Sequence, residues 1–385
     1  MRFLHSADWH LGRTLHGTSL LEDQTWVLDE FVRLAAEVRP HAVLLAGDIF
    51  DRAVPPVAAV RLLDSVLTRL VRELGIAVVM IAGNHDGPDR LAFGAELLSG
   101  SGLKVRGALD DADPVLLHDE HGAVAIHALP FADPLLARAA FSAEGEAAAE
   151  IDSHQAALAL QLARARRRQP AGVRSVVLAH AFVAGGEECE SERALAVGGS
   201  GAVATSLFDG FDYVALGHLH RAQQVGEARL HYAGSLLKYS FDEAQHRKSV
   251  NLVELAADGS CQVERIALPV RRDLRILDGE LDALLAAAAD DPARDDYVLA
   301  RLRDRGALLD AMGKLRQVYP NALAIERPDL FGEGRAGDAS DYRGIRVQDL
   351  FASFHQQTTG QALDEAGSAA VERLLERLDR EERSA

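Results

Sequence analysis

Ala42-Val43-Leu44-Leu45-Ala46-Gly47-Asp48-Ile49-Phe50-Asp51 is an apolar run that ends in Gly-Asp. A continuous run of this kind reads as a strand buried on both faces. The pattern recurs along the chain. Strand-like runs precede Asp8-Trp9-His10 and Gly83-Asn84-His85-Asp86. Val176-Val177-Leu178 leads into Ala179-His180, and Tyr213-Val214-Ala215-Leu216 leads into Gly217-His218-Leu219-His220. The five strings supply Asp, Asn and His side chains from five strand ends. That is a ligand inventory for two divalent metals sharing one carboxylate, the chemistry of phosphate-ester hydrolysis.

The donor set is Asp8, His10, Asp48, Asn84, His180, His218 and His220. It mixes oxygen and imidazole nitrogen and has no thiolate, which favours Mn²⁺, with Mg²⁺ as the other hard cation. Asp48 is the natural bridge, because it ends the strand expected at the centre of the sheet. If Asp8-Trp9-His10 is extended, Asp8 and His10 share a face and Trp9 turns away. The same geometry would point His218 and His220 together past Leu219. Gly47, Gly83 and Gly217 each precede a ligand, where glycine permits a close backbone approach. Each string alone has a bland explanation. Asp-x-His arises by chance, Gly-Asp at a strand end is usually a turn, and a lone histidine such as His180 is more often a satisfied core residue. Gly-Asn-His-Asp is harder to dismiss, since a turn has no use for His-Asp. The five in order carry the argument jointly.

The rest of the chain bounds this reading. Its 385 residues suit a main domain with smaller modules. Cys189 and Cys261 are the only cysteines and lie far apart, which excludes a zinc ribbon or disulfide framework and fits a reducing cytoplasm. Met1-Arg2-Phe3-Leu4-His5 opens no apolar signal region, and no apolar run reaches membrane-spanning length. The net charge of −17 argues by itself against a nucleic-acid partner. Two bound divalent cations would reverse the charge of the site itself. The clusters Arg164-Arg166-Arg167-Arg168 and Arg301-Arg303-Arg305 read as solvated surface.

Helices are expected at Leu20–Val38, Val57–Leu74 and through the Ala- and Arg-rich stretch 133–169. Strands are expected at Ala42–Ala46, Ala77–Ala82, Val124–Leu129, Val176–Ala179, 213–216, 229–233 and 248–255. From about 270 to 330 the texture becomes that of a small α+β module. Residues 329–345 are rich in Gly and Asp and read as a linker. Val347, Leu350, Phe351 and Phe354, then Val371, Leu374, Leu375 and Leu378, recur at helical spacing. No Walker phosphate loop occurs, and Gly198-Gly199-Ser200-Gly201 reads as a plain loop.

The ordered motifs resemble the calcineurin-like metallophosphoesterase superfamily, and within it the SbcD family of bacterial nuclease subunits. Beyond the ligands the likeness rests on His5-Ser6-Ala7-Asp8-Trp9-His10-Leu11-Gly12, Ala128-Leu129-Pro130-Phe131, His180-Ala181-Phe182-Val183-Ala184-Gly185-Gly186 and Gly234-Ser235-Leu236-Leu237-Lys238-Tyr239-Ser240-Phe241. Leu236 departs from an expected proline. Asp51 stands where archaeal and eukaryotic relatives carry histidine.

The resemblance implies a four-layer α-β-β-α sandwich over residues 1–268, a small α+β capping domain at 269–330, a linker at 331–345 and partner-binding helices at 346–385. It implies one metal held by Asp8, His10, Asp48 and His220, and the other by Asp48, Asn84, His180 and His218. His85 would be the non-ligand catalytic imidazole, with Asp86 orienting it or a ligand, and Asp51 also standing behind the ligands. Tyr239, Lys238 and Arg221 would touch phosphate, with packing an equal role for Tyr239. The implied partners are DNA and an SbcC-type ATPase with a long coiled coil, in a heterotetramer built on a nuclease homodimer, with roles in DNA repair, recombination and replication. Leu62, Leu63, Val66, Leu91, Phe93 and Leu97 could serve that homodimer or the core. Two other readings stay open. Gly47-Asp48-Ile49-Phe50-Asp51-Arg52 has the look of a phosphoprotein phosphatase, although Asp86 replaces its expected Glu. A non-catalytic scaffold would keep the fold alone, but no ligand position here is degraded.

Overall fold

In chain order the first strands are β1 (Arg2–Ser6), β2 (Thr14–Leu15), β3 (Thr18–Ser19), β4 (Ala42–Leu45), β5 (Ala77–Ile81), β6 (Leu103–Arg106) and β7 (Val115–Asp119). They are followed by β8 (Gly122–Leu129), β9 (Arg174–His180), β10 (Tyr213–Gly217), β11 (Gln223–Gln224), β12 (Leu230–Tyr232), β13 (Val250–Leu255) and β14 (Cys261–Ile266). The computed structural model describes residues 1–109, 113–142, 145, 148, 150–192, 195, 201–328, 348, 351, 352, 355 and 361–382. The expected linker 331–345, together with Gly198, Gly199, Ser200, Val347, Leu350 and Phe354, lies outside these residues. The chain divides into two compact units, Met1–Asp273 and Leu274–Ala385.

The first unit holds two six-stranded sheets, ordered β14-β13-β1-β4-β5-β6 and β11-β12-β10-β9-β8-β7. Four consecutive strands of each run parallel: β1-β4-β5-β6 in one and β8-β9-β10-β12 in the other. Phe3, Leu44, Val79 and Ile81 of the first sheet share one apolar cluster with Ile126, Val176, Leu178 and Ala215 of the second. The sheets therefore pack face to face. Alternate residues point to opposite faces of a strand. Val177, Ala179, Val214 and Leu216 accordingly pack outward, against Leu158, Leu162 and Ala165 of the helix His154–Arg168. Leu4, Val43, Leu45 and Val78 on the far face of the first sheet are also fully buried. The helix Leu21–Val38 buries its own Val27, Leu28, Phe31 and Ala35. This is the α/β sandwich expected from the sequence.

Parallel strands end together, so the loops that follow β1, β4, β5, β9 and β10 gather at one edge. In open α/β sheets that carboxyl edge is where ligands bind. The two sheets are stitched together there. His180 Nδ1 donates to the Ala46 carbonyl at 2.8 Å, and the Phe131 amide donates to the Ala82 carbonyl at 2.9 Å. His5, inside the sandwich, donates from Nε2 to the Leu216 carbonyl at 3.1 Å and accepts from the Tyr213 hydroxyl at 3.0 Å. Burial pushes its pKa down to about 3, so it remains a neutral strut.

Several elements differ from expectation for identifiable reasons. The helix from Val57 ends at Thr68 and passes into a wider turn, Arg69–Glu73. Among the described residues of the stretch 133–169 there are two separate helices, Pro134–Ala140 capped by Asp133 and His154–Arg168 capped by Ser153. β6, β7 and β14 were not anticipated. They border the sheets and carry polar residues such as Lys104, Arg106 and Glu264, so no continuous apolar run announces them.

The second unit contains β15 (Leu274–Gly279), β16 (Tyr297–Leu302) and β17 (Ala322–Glu326), all parallel. Parallel neighbours need crossovers, and the helices Leu281–Ala287 and Ala311–Val318 provide them. Leu281, Val298, Ala300, Leu302, Leu315 and Tyr319 form its core. The helix Glu365–Glu382 follows, and includes Val371 and Leu374. Among the described residues no helix is long and apolar enough to cross a membrane.

Gly217 marks the tightest approach of the two sheet edges. A Cβ there would run into the Ala46 carbonyl oxygen and meet the Ala7 side chain at 3.0 Å. Gly217→Ala should therefore destabilise the first unit by about 1–3 kcal/mol through overpacking. Trp9 and Trp26, the only two tryptophans, both lie in that unit, so their fluorescence during urea unfolding reads it directly. An unchanged midpoint would mean the two edges can part freely.

Candidate dinuclear metal centre

The ligand loops are not extended. Asp8, His10 and Asp48 have φ of 53°, 44° and 49°, and His218 has 109°. Left-handed backbone is uncommon outside glycine and clusters at functional sites. The extended-strand argument for Asp8-Trp9-His10 and for His218-Leu219-His220 is thus corrected. What turns Trp9 away is the curl itself, which lets its Nε1 donate to Ser6 Oγ at 2.8 Å and sets its ring against Phe31. The first two loops are zipped together, with Asp8 N on Gly47 O at 3.1 Å and His10 N on Asp48 O at 2.9 Å. Gln24 braces the curl, its Nε2 donating to the Trp9 and His10 carbonyls at 3.1 and 2.8 Å.

These loops bring the predicted residues together. His10 Nε2 lies 3.0 Å from His220 Nε2 and 3.6 Å from Asp48 Oδ2. His180 Nε2 lies 3.6 Å from the same Asp48 oxygen and 2.8 Å from Asn84 Oδ1, which is 3.2 Å from His218 Nδ1. Asp8, His10 and His220 present ligand atoms within 4.8 Å of one another, as do Asp8, Asp48 and His180. Asp8 itself accepts from the His218 amide at 3.0 and 3.2 Å. A Cβ on Gly83 would strike the Asp48 carboxylate, so only glycine lets that loop close in.

Proton accounting shows that the site fits cations. Ser191 Oγ donates to Glu243, so at 2.6 Å it must accept from His220 Nδ1, which leaves a lone pair on His220 Nε2. His10 Nδ1 is buried without a hydrogen-bond partner, 3.8 Å from the Asp51 carboxylate, and its Nε2 is 3.0 Å from the His220 lone pair. A cation placed between these two ring nitrogens and the two buried carboxylates would take the place of the proton they otherwise share. Burial and the neighbouring imidazoles hold His10 and His218 well below the usual histidine range, so both are neutral and ligand-ready. Burial beside Asp48 pushes Asp8 well above the carboxylate range, a strain a bound cation would relieve.

His85 lies edge-on to His10, ring centroids 4.7 Å apart, and with His10 and Asp51 forms a further group of potential ligand atoms. Its amide donates to Asp48 Oδ1 and its Nδ1 to the Asp51 carbonyl, both at 2.9 Å. Its Nε2 faces the site 4.0 Å from Asp48 Oδ2. Asp86 does not touch His85. It clasps the two loops, accepting from Ile49, Phe50 and Gly83 amides at 3.1, 2.9 and 2.9 Å. Burial and Asp48 push it up to about 7 against those donors. Asp51 pairs with Arg13 at 3.1 Å.

Sequence reasoning missed the support behind His220. Glu243 is fully buried and is ion-paired to Lys248. Glu192 accepts from the His220 amide at 2.6 Å. No spacing rule marks Ser191, Glu192, Glu243 or Lys248, because they come from loops that meet only in the fold. The suggested phosphate contacts each have a partner within the chain, exposed in the case of Arg221. Tyr239 is buried, with its hydroxyl on the Trp9 carbonyl; Lys238 pairs with Asp273 and Arg221 with Glu187.

The profile of the calcineurin-like phosphoesterases matches residues 1–222. The chain belongs to that family. A second profile, the SbcD C-terminal domain, described as the Type 5 capsule protein repressor C-terminal domain, matches residues 270–359. The two matches together support an SbcD-type nuclease subunit. Among solved structures the chain is similar to TT1561 of Thermus thermophilus, at 12% identity and TM-score 0.39, over 69% of this chain and 98% of that one. It is also similar to a dimetal phosphatase from Danio rerio, at 14% identity and TM-score 0.40, over 69% of this chain and 96% of that one. Membership makes this phosphoesterase a hydrolase of phosphoester bonds that uses divalent metal ions.

Glu243→Gln or Ser191→Ala should free the His220 ring to take the other tautomer. Support of this kind is typically worth about 10–100-fold in metal affinity. Manganese titration calorimetry on the metal-free variants measures it, and affinity equal to that of the parent protein would remove Glu243 from this role.

Proposed function

We propose that this chain is the manganese-dependent DNA nuclease subunit of an SbcCD-type complex. It would act on double-stranded ends as an exonuclease and on single-stranded or hairpin DNA as an endonuclease, in repair, recombination and replication in the cytoplasm. The observation that carries the reading is the pairing of a complete, converging ligand set with a C-terminal region matching the SbcD domain. One metal would be held by Asp8, His10, Asp48 and His220, the other by Asp48, Asn84, His180 and His218. When bound, the ions supply Lewis acidity at the phosphate and charge to balance the transition state.

The chain's own groups do the rest. Asp48 faces both ligand sets and fixes their separation. His85, anchored through Nδ1–H on the Asp51 carbonyl, holds its Nε2 toward the reacting phosphate; protonated on both nitrogens, it would pass the Nε2 proton to the leaving 3′ oxygen and become neutral. Asp86 keeps the Asp48 and Asn84 loops in register through its three amide bonds. The net charge of −17 means that the positive field for DNA comes from the metals and from a basic partner. ATP dependence would belong to an SbcC-type coiled-coil ATPase, since the sequence carries no Walker loop. Residues 269–330 would act as a DNA-positioning cap, and residues 346–385 would dock on that ATPase within a heterotetramer built on a nuclease homodimer.

His85→Gln should lower cleavage of linear duplex by about 10²–10⁴-fold while manganese content, measured by elemental analysis, is unchanged. Loss of metal would make His85 a ligand instead. Phosphomonoester turnover without duplex cleavage in the parent protein would select a phosphatase. Removing residues 346–385 should preserve manganese nuclease activity and abolish co-purification with the ATPase; an intact complex would sink the docking assignment.

A further inference from the structure

The string Ala128-Leu129-Pro130-Phe131 contributes no ligand, yet its aromatic ring stands beside the metal centre. The Phe131 amide is pinned to the Ala82 carbonyl, just past the end of β5 and next to Asn84. Its ring lies edge-on to His180 at 6.2 Å and tilted against His154 at 5.4 Å. A cleft of 390 Å³ opens there, lined by Asn84, Asp86, Pro88, Phe131, Leu135 and Leu136 among others. That volume is within the range of small-ligand sites.

The chemistry of the cleft narrows its occupant. Asp86 is spent on three backbone amides, and Asp133 on the Leu135 and Leu136 amides at 2.9 and 3.2 Å. No Lys or Arg lines the cleft among the described residues, so it does not suit a second phosphate. It offers instead an aromatic ring and two adjacent leucines, 74% and 61% exposed, at the start of the helix Pro134–Ala140. An uncharged, flat group attached to the reacting phosphate meets those conditions.

We propose that this cleft seats the nucleobase next to the scissile phosphate, unstacked from its neighbour, with Phe131 as the platform and Leu135 and Leu136 as the wedge. The inference rests on the nuclease reading of the metal centre. Aromatic platforms hold bases of any sequence, and aliphatic wedges open base steps. Opening a duplex end is cheapest where the terminal pair is already mismatched. The enzyme should therefore favour frayed ends, and the wedge should matter least on them.

The test compares manganese-dependent cleavage of one DNA whose terminal unpaired nucleotide carries a base with the same DNA carrying an abasic sugar there. The parent protein should favour the base by about tenfold or more in kcat/KM. Phe131→Ala should erase that preference by slowing the base-bearing DNA alone, while retained abasic cleavage shows that the fold and metal centre are intact. The double variant Leu135→Ser, Leu136→Ser should be slow on matched ends and recover on mismatched ones. A Phe131→Ala protein that keeps the parent preference overturns the base seat, as does one that loses both substrates equally. A parent protein that hydrolyses a phosphomonoester but cleaves neither DNA overturns the nuclease reading, and this inference with it.

Discussion

Asp8 and Asp48 are buried beside each other, 0% and 2% exposed, in a ring of histidines. Two carboxylates removed from water and set side by side are costly unless positive charge or donors compensate. Backbone amides supply part of the answer: His218 donates to Asp8 and His85 to Asp48. The imidazoles cannot supply charge, because burial holds them neutral. What remains is a demand for cations at that spot. The fold is arranged to keep the demand in place, with glycine at Gly83 and Gly217 allowing the loops to press together.

A second layer keeps the donors aimed. Lys248 holds Glu243, Glu243 holds Ser191, and Ser191 fixes the proton on His220. Arg13 holds Asp51 on the other flank, facing His10, and Asp51 anchors His85 through its carbonyl. Each chain of contacts runs from a charged pair to an imidazole at the centre. Buried polar networks of this kind stabilise only when every member is satisfied. His85 is held in a different way: its Nδ1 is committed to the Asp51 carbonyl, and its Nε2 lies 4.0 Å from Asp48 Oδ2.

Much of this was legible because metal ligation is written in residue type and order. A strand ending in Gly-Asp, another in Gly-Asn-His-Asp and a third in Gly-His-Leu-His need no coordinates to be recognised as donors. The inner strands were legible too, as continuous apolar runs. The border strands β6, β7 and β14 were not, since their alternating polar residues resemble loops. The left-handed backbone at Asp8, His10, Asp48 and His218 was also hidden, because these are not glycines and nothing in their neighbours demands it.

By itself the sequence put forward the candidate donors, the parallel core strands that carry them, and the change of texture near residue 270. Those depend on local composition and on periodicity along the chain. Only the tertiary structure decided which ring nitrogens face one another, that Glu243 and Ser191 stand behind His220, that Asp86 clasps backbone instead of His85, and that Tyr239 is a wall. The physical reason is range. A side chain's type is local, but the tautomer of His220 is set by Ser191 and Glu243, residues far from it along the chain, and burial that removes water from Asp8 and Asp48 requires both sheets at once.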